Sequence, residues 1–181
     1  MRHFALAALI VTPLLAAAVA QAQTPPASPT ATADIKAKGG AAAGSATLTD
    51  GPKGVLLKIE VKGLPHGWHG LHFHDKGDCS DAAFKSAGAH VHSGVTLVHG
   101  LMNPEGNESG DLPNLYVDHD GLGVAEVFAP YVALKSNTAR TALLDQDGSA
   151  IVIHANPDDH MTQPIGGAGD RIACGVIRTA Q

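Results

Sequence analysis

Hydrophobic and polar positions alternate most cleanly over residues 54–62, where Leu57, Ile59 and Val61 fall on one side and Lys58, Glu60 and Lys62 on the other. A period of two predicts a half-buried antiparallel strand. Shorter apolar runs at 46–48, 70–74, 114–117, 123–128, 150–154 and 171–177 are divided by turn residues such as Asp120-Gly121 and Asp147-Gly148. No long window spaces apolar residues at three and four, so long helices are not expected. Many short strands with polar turns predict an all-β sandwich or barrel. Two connections, 75–111 and 155–170, are too long for turns, and loops of that length in a compact domain are usually functional.

The N terminus breaks this pattern. Arg2, a nearly unbroken apolar run over 5–20 and the small-residue site Ala20-Gln21-Ala22 have the form of a removable signal peptide, 1–22. The run is short for a membrane-spanning helix, and nothing after it is apolar enough to span a bilayer. Residues 23–37 are rich in Pro, Ala and Thr and are expected to form a flexible linker, which leaves 38–181 as one domain of ordinary size. In an exported chain the two cysteines, Cys79 and Cys174, read as a disulfide. The formal net charge of −5 offers no basic footprint for nucleic acid.

Candidate chemistry comes from the eleven histidines. His72 and His74 are two apart in an expected strand, so both rings point to one face and Phe73 to the other. His90, His99 and Asp111 follow in the first long loop, and His154 closes the run Ile151-Val152-Ile153. Imidazoles joined by a carboxylate suit copper or zinc better than a hard cation. His66, His119 and His160 read as loop or turn residues rather than ligands, and His69 as a hydrogen-bonded core residue.

Blocks of sequence then carry a specific resemblance. Gly70-Leu71-His72-Phe73-His74, Lys76-Gly77-Asp78-Cys79, Ser86-Ala87-Gly88-Ala89-His90, Gly110-Asp111-Leu112-Pro113-Asn114 and the stretch from Gly167 to Ile177 resemble the bacterial copper,zinc superoxide dismutases, in family order across 46–181. The resemblance implies an eight-stranded Greek-key β-barrel, an immunoglobulin-like sandwich, with two long functional loops. It implies an exported, periplasmic enzyme that dismutes superoxide to oxygen and hydrogen peroxide, as a monomer or a homodimer. Copper would be held by His72, His74, His90 and His154, and zinc by His90, His99 and Asp111. Asp158 would link a copper histidine to a zinc histidine, His90 would bridge the metals and carry a proton, and Arg171 would guide the anion.

Departures from the family pattern leave alternatives open. Glu108 stands where the family's third zinc histidine is expected, so the fourth zinc ligand is Glu108, or His92 substitutes for it, or the zinc site is weak. Asp170 places an acid beside the guiding arginine, while Lys76 and Lys85 are candidates to add positive charge to the approach. The alternative functions are a non-catalytic copper-binding or copper-delivery homologue, and a copper enzyme whose zinc site is degraded.

Overall fold

A computed structural model describes residues 28, 30–94, 96–136 and 139–180. The expected signal peptide lies outside them.

The chain forms β1 (Thr30–Ala37), β2 (Ala42–Gly51), β3 (Gly54–Val61), β4 (Gly67–His69), β5 (Leu71–His74), β6 (Leu115–Val117), β7 (Gly123–Ala129), β8 (Val132–Ala133), β9 (Thr141–Ala142), β10 (Ala150–His154), β11 (Arg171–Val176) and β12 (Arg178–Thr179). The main sheet runs β5-β10-β11-β1-β2-β3-β7, with β12 added beside β1, and all its pairings are antiparallel. Its non-consecutive neighbours, β5 with β10, β11 with β1 and β3 with β7, are the over-and-back connections of a Greek key. The expected eight-stranded barrel is thus a curled eight-stranded sheet, with β4–β6 as a separate ribbon and one hydrophobic core that takes in Ile35, Leu48, Leu57, Phe73, Leu115 and Ile151.

The expected strand over 54–62 is β3, and its alternation is realised: Leu57, Ile59 and Val61 are buried while Lys58 and Glu60 are exposed. The linker expectation for 23–37 is corrected over its last eight residues, which form β1 between β2 and β11. Ala31, Ala33 and Ile35 enter the core there, and Thr32, Asp34 and Lys36 face outward. Two of the three inward positions are alanine, so the period of two is present but its apolar contrast is low.

What positions the site is a strip of sheet buried on both faces. Every residue of β5 and of β10 is buried. The register pairs Phe73 with Ile151 and Leu71 with Ile153, which face the core, and pairs His72 with Val152 and His74 with Ala150, which face the other way. That outer face is roofed by the connections 75–114 and 155–170, which explains why β5 and β10 show no polar side. Under the roof, Phe84, Ala87, Ala150, Val152 and Cys174 make a second small core with Cys79 packed on it. The disulfide between Cys79 and Cys174 ties the roof to β11.

Candidate metal centre

The first long loop returns twice to the free edge of β5. His90 pairs with His74, and Asp111 with His72, as isolated bridges. Phe73 donates its N–H to Gly110 O at 2.9 Å and accepts from Val91 N at 2.8 Å, while Gly110 N donates to Val91 O at 2.8 Å. A Cβ on Gly110 would run into Phe73 O, so the glycine before Asp111 is what lets this segment approach. On the far side, a register shift between Ile153 and His154 sets His154 opposite Arg171. Two strands and one loop segment therefore deliver four imidazoles to one place, and a second loop segment brings Asp111 beside them.

The four expected copper histidines converge. His72, His74, His90 and His154 each present one ring nitrogen, and these atoms lie within 4.8 Å of one another. They are His72 Nδ1, His74 Nε2, His90 Nε2 and His154 Nε2, all buried and all without a hydrogen-bond partner. The opposite nitrogen of each ring is anchored: His72 Nε2 lies 2.9 Å from Asp158 Oδ2, His74 Nδ1 3.0 Å from Gly88 O, and His154 Nδ1 3.0 Å from Gly169 O. A donor aimed at a carbonyl fixes the tautomer, which leaves the inward nitrogen of His74 and of His154 as a lone pair. Gly88 has a positive φ of 79°, and a Cβ there would collide with Asp75 Oδ1, so the carbonyl that anchors His74 requires glycine.

His90 turns its other nitrogen toward a second cluster. His90 Nδ1 lies 2.7 Å from Glu108 Oε2 and 2.9 Å from Asp111 Oδ1, and His99 Nδ1 lies 2.9 and 3.1 Å from the same two atoms. Two imidazoles and two carboxylates thus meet at one point, a donor set that suits zinc. His72, His90, His99 and Asp111 also offer atoms within 4.8 Å of one another, but the inward nitrogen of His72 belongs to the first set and its other nitrogen to Asp158. Glu108 sits with the zinc-side residues, whereas His92 is turned away with Nδ1 2.9 Å from His90 O. Asp158 joins the clusters as expected, one oxygen on His72 and the other 3.0 Å from His99 Nε2.

Burial and charge set opposite protonation on the two sides. In the metal-free chain, burial followed by repulsion from neighbouring histidines lowers His72 to about 4 and His154 to about 3, and holds His74 well below its ordinary value. Burial also opposes charge on His99, yet hydrogen bonds to Asp111, Asp158 and Glu108 outweigh it and push His99 up to about 11. His90 is raised in the same way by Asp111 and Glu108, and those carboxylates are held low despite their burial.

Arg171 is half-buried beside His154, and its guanidinium donates to Phe84 O and Gly88 O, each at 2.6 Å. It makes no salt bridge among the described residues. Asp170 pairs instead with Lys38 at 3.2 Å. Lys76 and Lys85 are exposed and enter no salt bridge among the described residues. His69 is the expected core histidine, its nitrogens 2.7 Å from His154 O and 2.8 Å from Pro65 O. His66 and His119 stack on the surface at 3.8 Å. His160 joins neither cluster, though its backbone N–H donates to Asp158 Oδ1 at 2.7 Å.

Two amide clamps escaped the sequence reading. Asn114 brackets Asp158, donating to its carbonyl and accepting from its N–H, both at 2.8 Å. Gln163 does the same to the backbone of His99 at 2.8 and 2.9 Å. Asn114 stood inside a quoted block, so a signal existed; an isolated Gln163 gave none.

Residues 42–177 match the family model for copper/zinc superoxide dismutase. The chain belongs to the copper/zinc superoxide dismutase family. It is 62% identical over 148 residues to a Cu-Zn superoxide dismutase of Caulobacter vibrioides, covering 82% of this chain and 85% of that one. Among solved structures, a superoxide dismutase-like protein from Bacillus subtilis superposes with a TM-score of 0.74 at 35% identity, over 80% of this chain and 96% of the other. The Cu/Zn superoxide dismutase from Brucella abortus does so at 0.65 and 28%, over 82% and 99%. Copper and zinc are the family's metals, and the donor sets above fit them.

Proposed function

We propose that this chain dismutes superoxide, with copper held by His72 Nδ1, His74 Nε2, His90 Nε2 and His154 Nε2, and zinc by His90 Nδ1, His99 Nδ1, Asp111 and Glu108. The observation that carries the reading is the set of four buried, partnerless nitrogens within 4.8 Å of one another. An unpaired buried polar atom is costly, and four aimed at one point are accounted for together by a borderline metal ion. When bound, copper accepts and returns the single electron that dismutation requires, while zinc has no redox chemistry.

The protein's own groups do the rest. Arg171 is the local cation for an anionic substrate on a chain of formal charge −5, where any attraction has to be local. Two carbonyls hold its guanidinium, and among the described residues no carboxylate pairs with it directly, Asp81 and Asp75 acting on it only through space, so its charge stays available beside His154. His90 Nε2, buried and without a hydrogen-bond partner, would hold the proton that the peroxide product takes whenever it is not bound to copper. Asp158 and the carbonyls of Gly88 and Gly169 keep the rings from turning. The apolar N-terminal run and the disulfide support export to the periplasm.

Metal analysis of purified protein, run beside a superoxide-consumption assay, tests the reading. Copper-loaded wild type should be active, His154→Ala should lose both copper and activity, and Glu108→His should remain active. Wild type that binds no copper, or is inert when loaded, defeats the proposal.

A further inference from the structure

Behind the zinc-side cluster lies a cavity of about 440 Å³ whose lining includes Leu101, Asn103, Pro104, Glu108, Asp111 and Tyr131. Leu101 and Tyr131 are exposed at its rim, while the carboxylates of Glu108 and Asp111 lie almost wholly buried. None of His72, His74, His90, His154 or Arg171 lines it. The copper side and this cavity therefore reach the paired clusters from different directions.

The two carboxylates at its base are not held alike. Asp111 Oδ2 accepts the backbone N–H of Gly100 at 2.8 Å, which pins it. The Glu108 carboxylate has no partner among the described residues except the rings of His90 and His99, and its side chain is one carbon longer. The two carboxylates end the cleft in anionic oxygens that are shared with the rings of His90 and His99, so an arriving cation can take the place of the ring protons.

We infer that this cavity is the route by which zinc enters and leaves, with Glu108 as the ligand that swings aside, so that zinc exchanges while copper stays in place. The inference rests on the proposed zinc ligation. It gives Glu108 a purpose: a carboxylate that, among the described residues, only the rings of His90 and His99 hold meets the arriving cation first, and Asp111, His90 and His99 complete the site.

The test follows zinc transfer from copper- and zinc-loaded protein to the chelator 4-(2-pyridylazo)resorcinol, with the visible copper band recorded in parallel. Uptake is then measured by returning zinc to the copper-only form. Leu101→Trp, which narrows the rim, should slow release and uptake by the same factor, about tenfold for a barrier raised by about 1.4 kcal/mol. Tyr131→Ala should speed both. A route changes both directions equally, so a change in release alone overturns the proposal, as do rates that neither variant moves. Loss of the copper band in step with zinc release overturns it as well. Protein that never holds zinc would instead sink the ligand assignment, and the two failures are thereby distinct.

Discussion

The sides proposed for copper and for zinc are built from similar residues but by opposite physics. On the copper side, His72, His74 and His154 are kept neutral by burial, and their outer nitrogens are tied to Asp158 or to backbone carbonyls. On the zinc side, His90 and His99 are drawn toward the charged form by Glu108 and Asp111, so the metal-free cluster is a network of ion pairs. The inward nitrogens of His72, His74 and His154 keep their lone pairs, whereas the rings and carboxylates of the other cluster partly satisfy one another. The difference gives a physical reason for a carboxylate at position 108: convergence on one point is kept, and the added charge falls where two rings already carry the opposite sign.

The largest expected effect that separates the sides is the pH dependence of the metal-free protein. His72, His74 and His154 have folded values below 6.5, so their contribution is present above that value and is lost as pH falls toward 4, because the unfolded chain binds protons the folded one refuses. His90 and His99 act in the reverse sense: their contribution is full below 6.5 and is lost as pH rises, for His99 toward about 11. Stability without metals should therefore peak near pH 6.5, with several kcal/mol at stake on the acid limb. Urea unfolding across this range checks it, and His154→Leu should flatten the acid limb alone. A wild-type profile that rises steadily toward acid would undo the contrast.

A smaller effect tests the carboxylate that, besides the shared ring of His90, joins the two sides. Asp158→Asn keeps the shape but exchanges one acceptor oxygen for a donor, so His72 and His99 can no longer both be held as they are. Outer hydrogen-bond partners of this kind are worth roughly 10- to 100-fold in metal affinity. Zinc affinity should fall by that order in a competition titration, and the copper visible spectrum should shift as His72 loosens. If only one metal responds, Asp158 is not the link between them.

How much of this was legible in the sequence follows from the same contrast. That His72, His74 and His154 could meet was legible because β5 and β10 carry them at fixed strand spacing, and His90 came from the family blocks. The strand β3 announced itself through Leu57, Ile59 and Val61, whereas β1 was hidden by alanines whose apolar contrast is low. Glu108 could be placed at the right position but not judged, since only the folded loop shows its carboxylate 2.7 Å from His90 rather than in solvent. The clamps by Asn114 and Gln163, and the anchoring carbonyls of Gly88 and Gly169, join parts of the chain whose proximity the fold alone creates. Backbone carbonyls leave no trace in residue identity, except where Gly88 and Gly169 are required by their positive φ.

The smallest effect concerns electrostatics on the copper side alone. Arg171 sits beside His154 with its donors on Phe84 O and Gly88 O, while the neighbouring Asp170 is drawn off to Lys38. The acid next in sequence therefore does not neutralise the arginine. Arg171→Ala should lower kcat/KM for superoxide by about tenfold, the lower end of what local steering supplies, with copper and zinc contents unchanged. Because attraction between opposite charges is screened, the wild-type rate should fall as salt is raised and the variant's rate should fall less. Asp170→Asn is the control: its charge is already paired and exposed, so kcat/KM should stay close to wild type. A large gain in Asp170→Asn would mean that the acid does oppose the substrate, and equal salt slopes in wild type and Arg171→Ala would remove the arginine from the approach path.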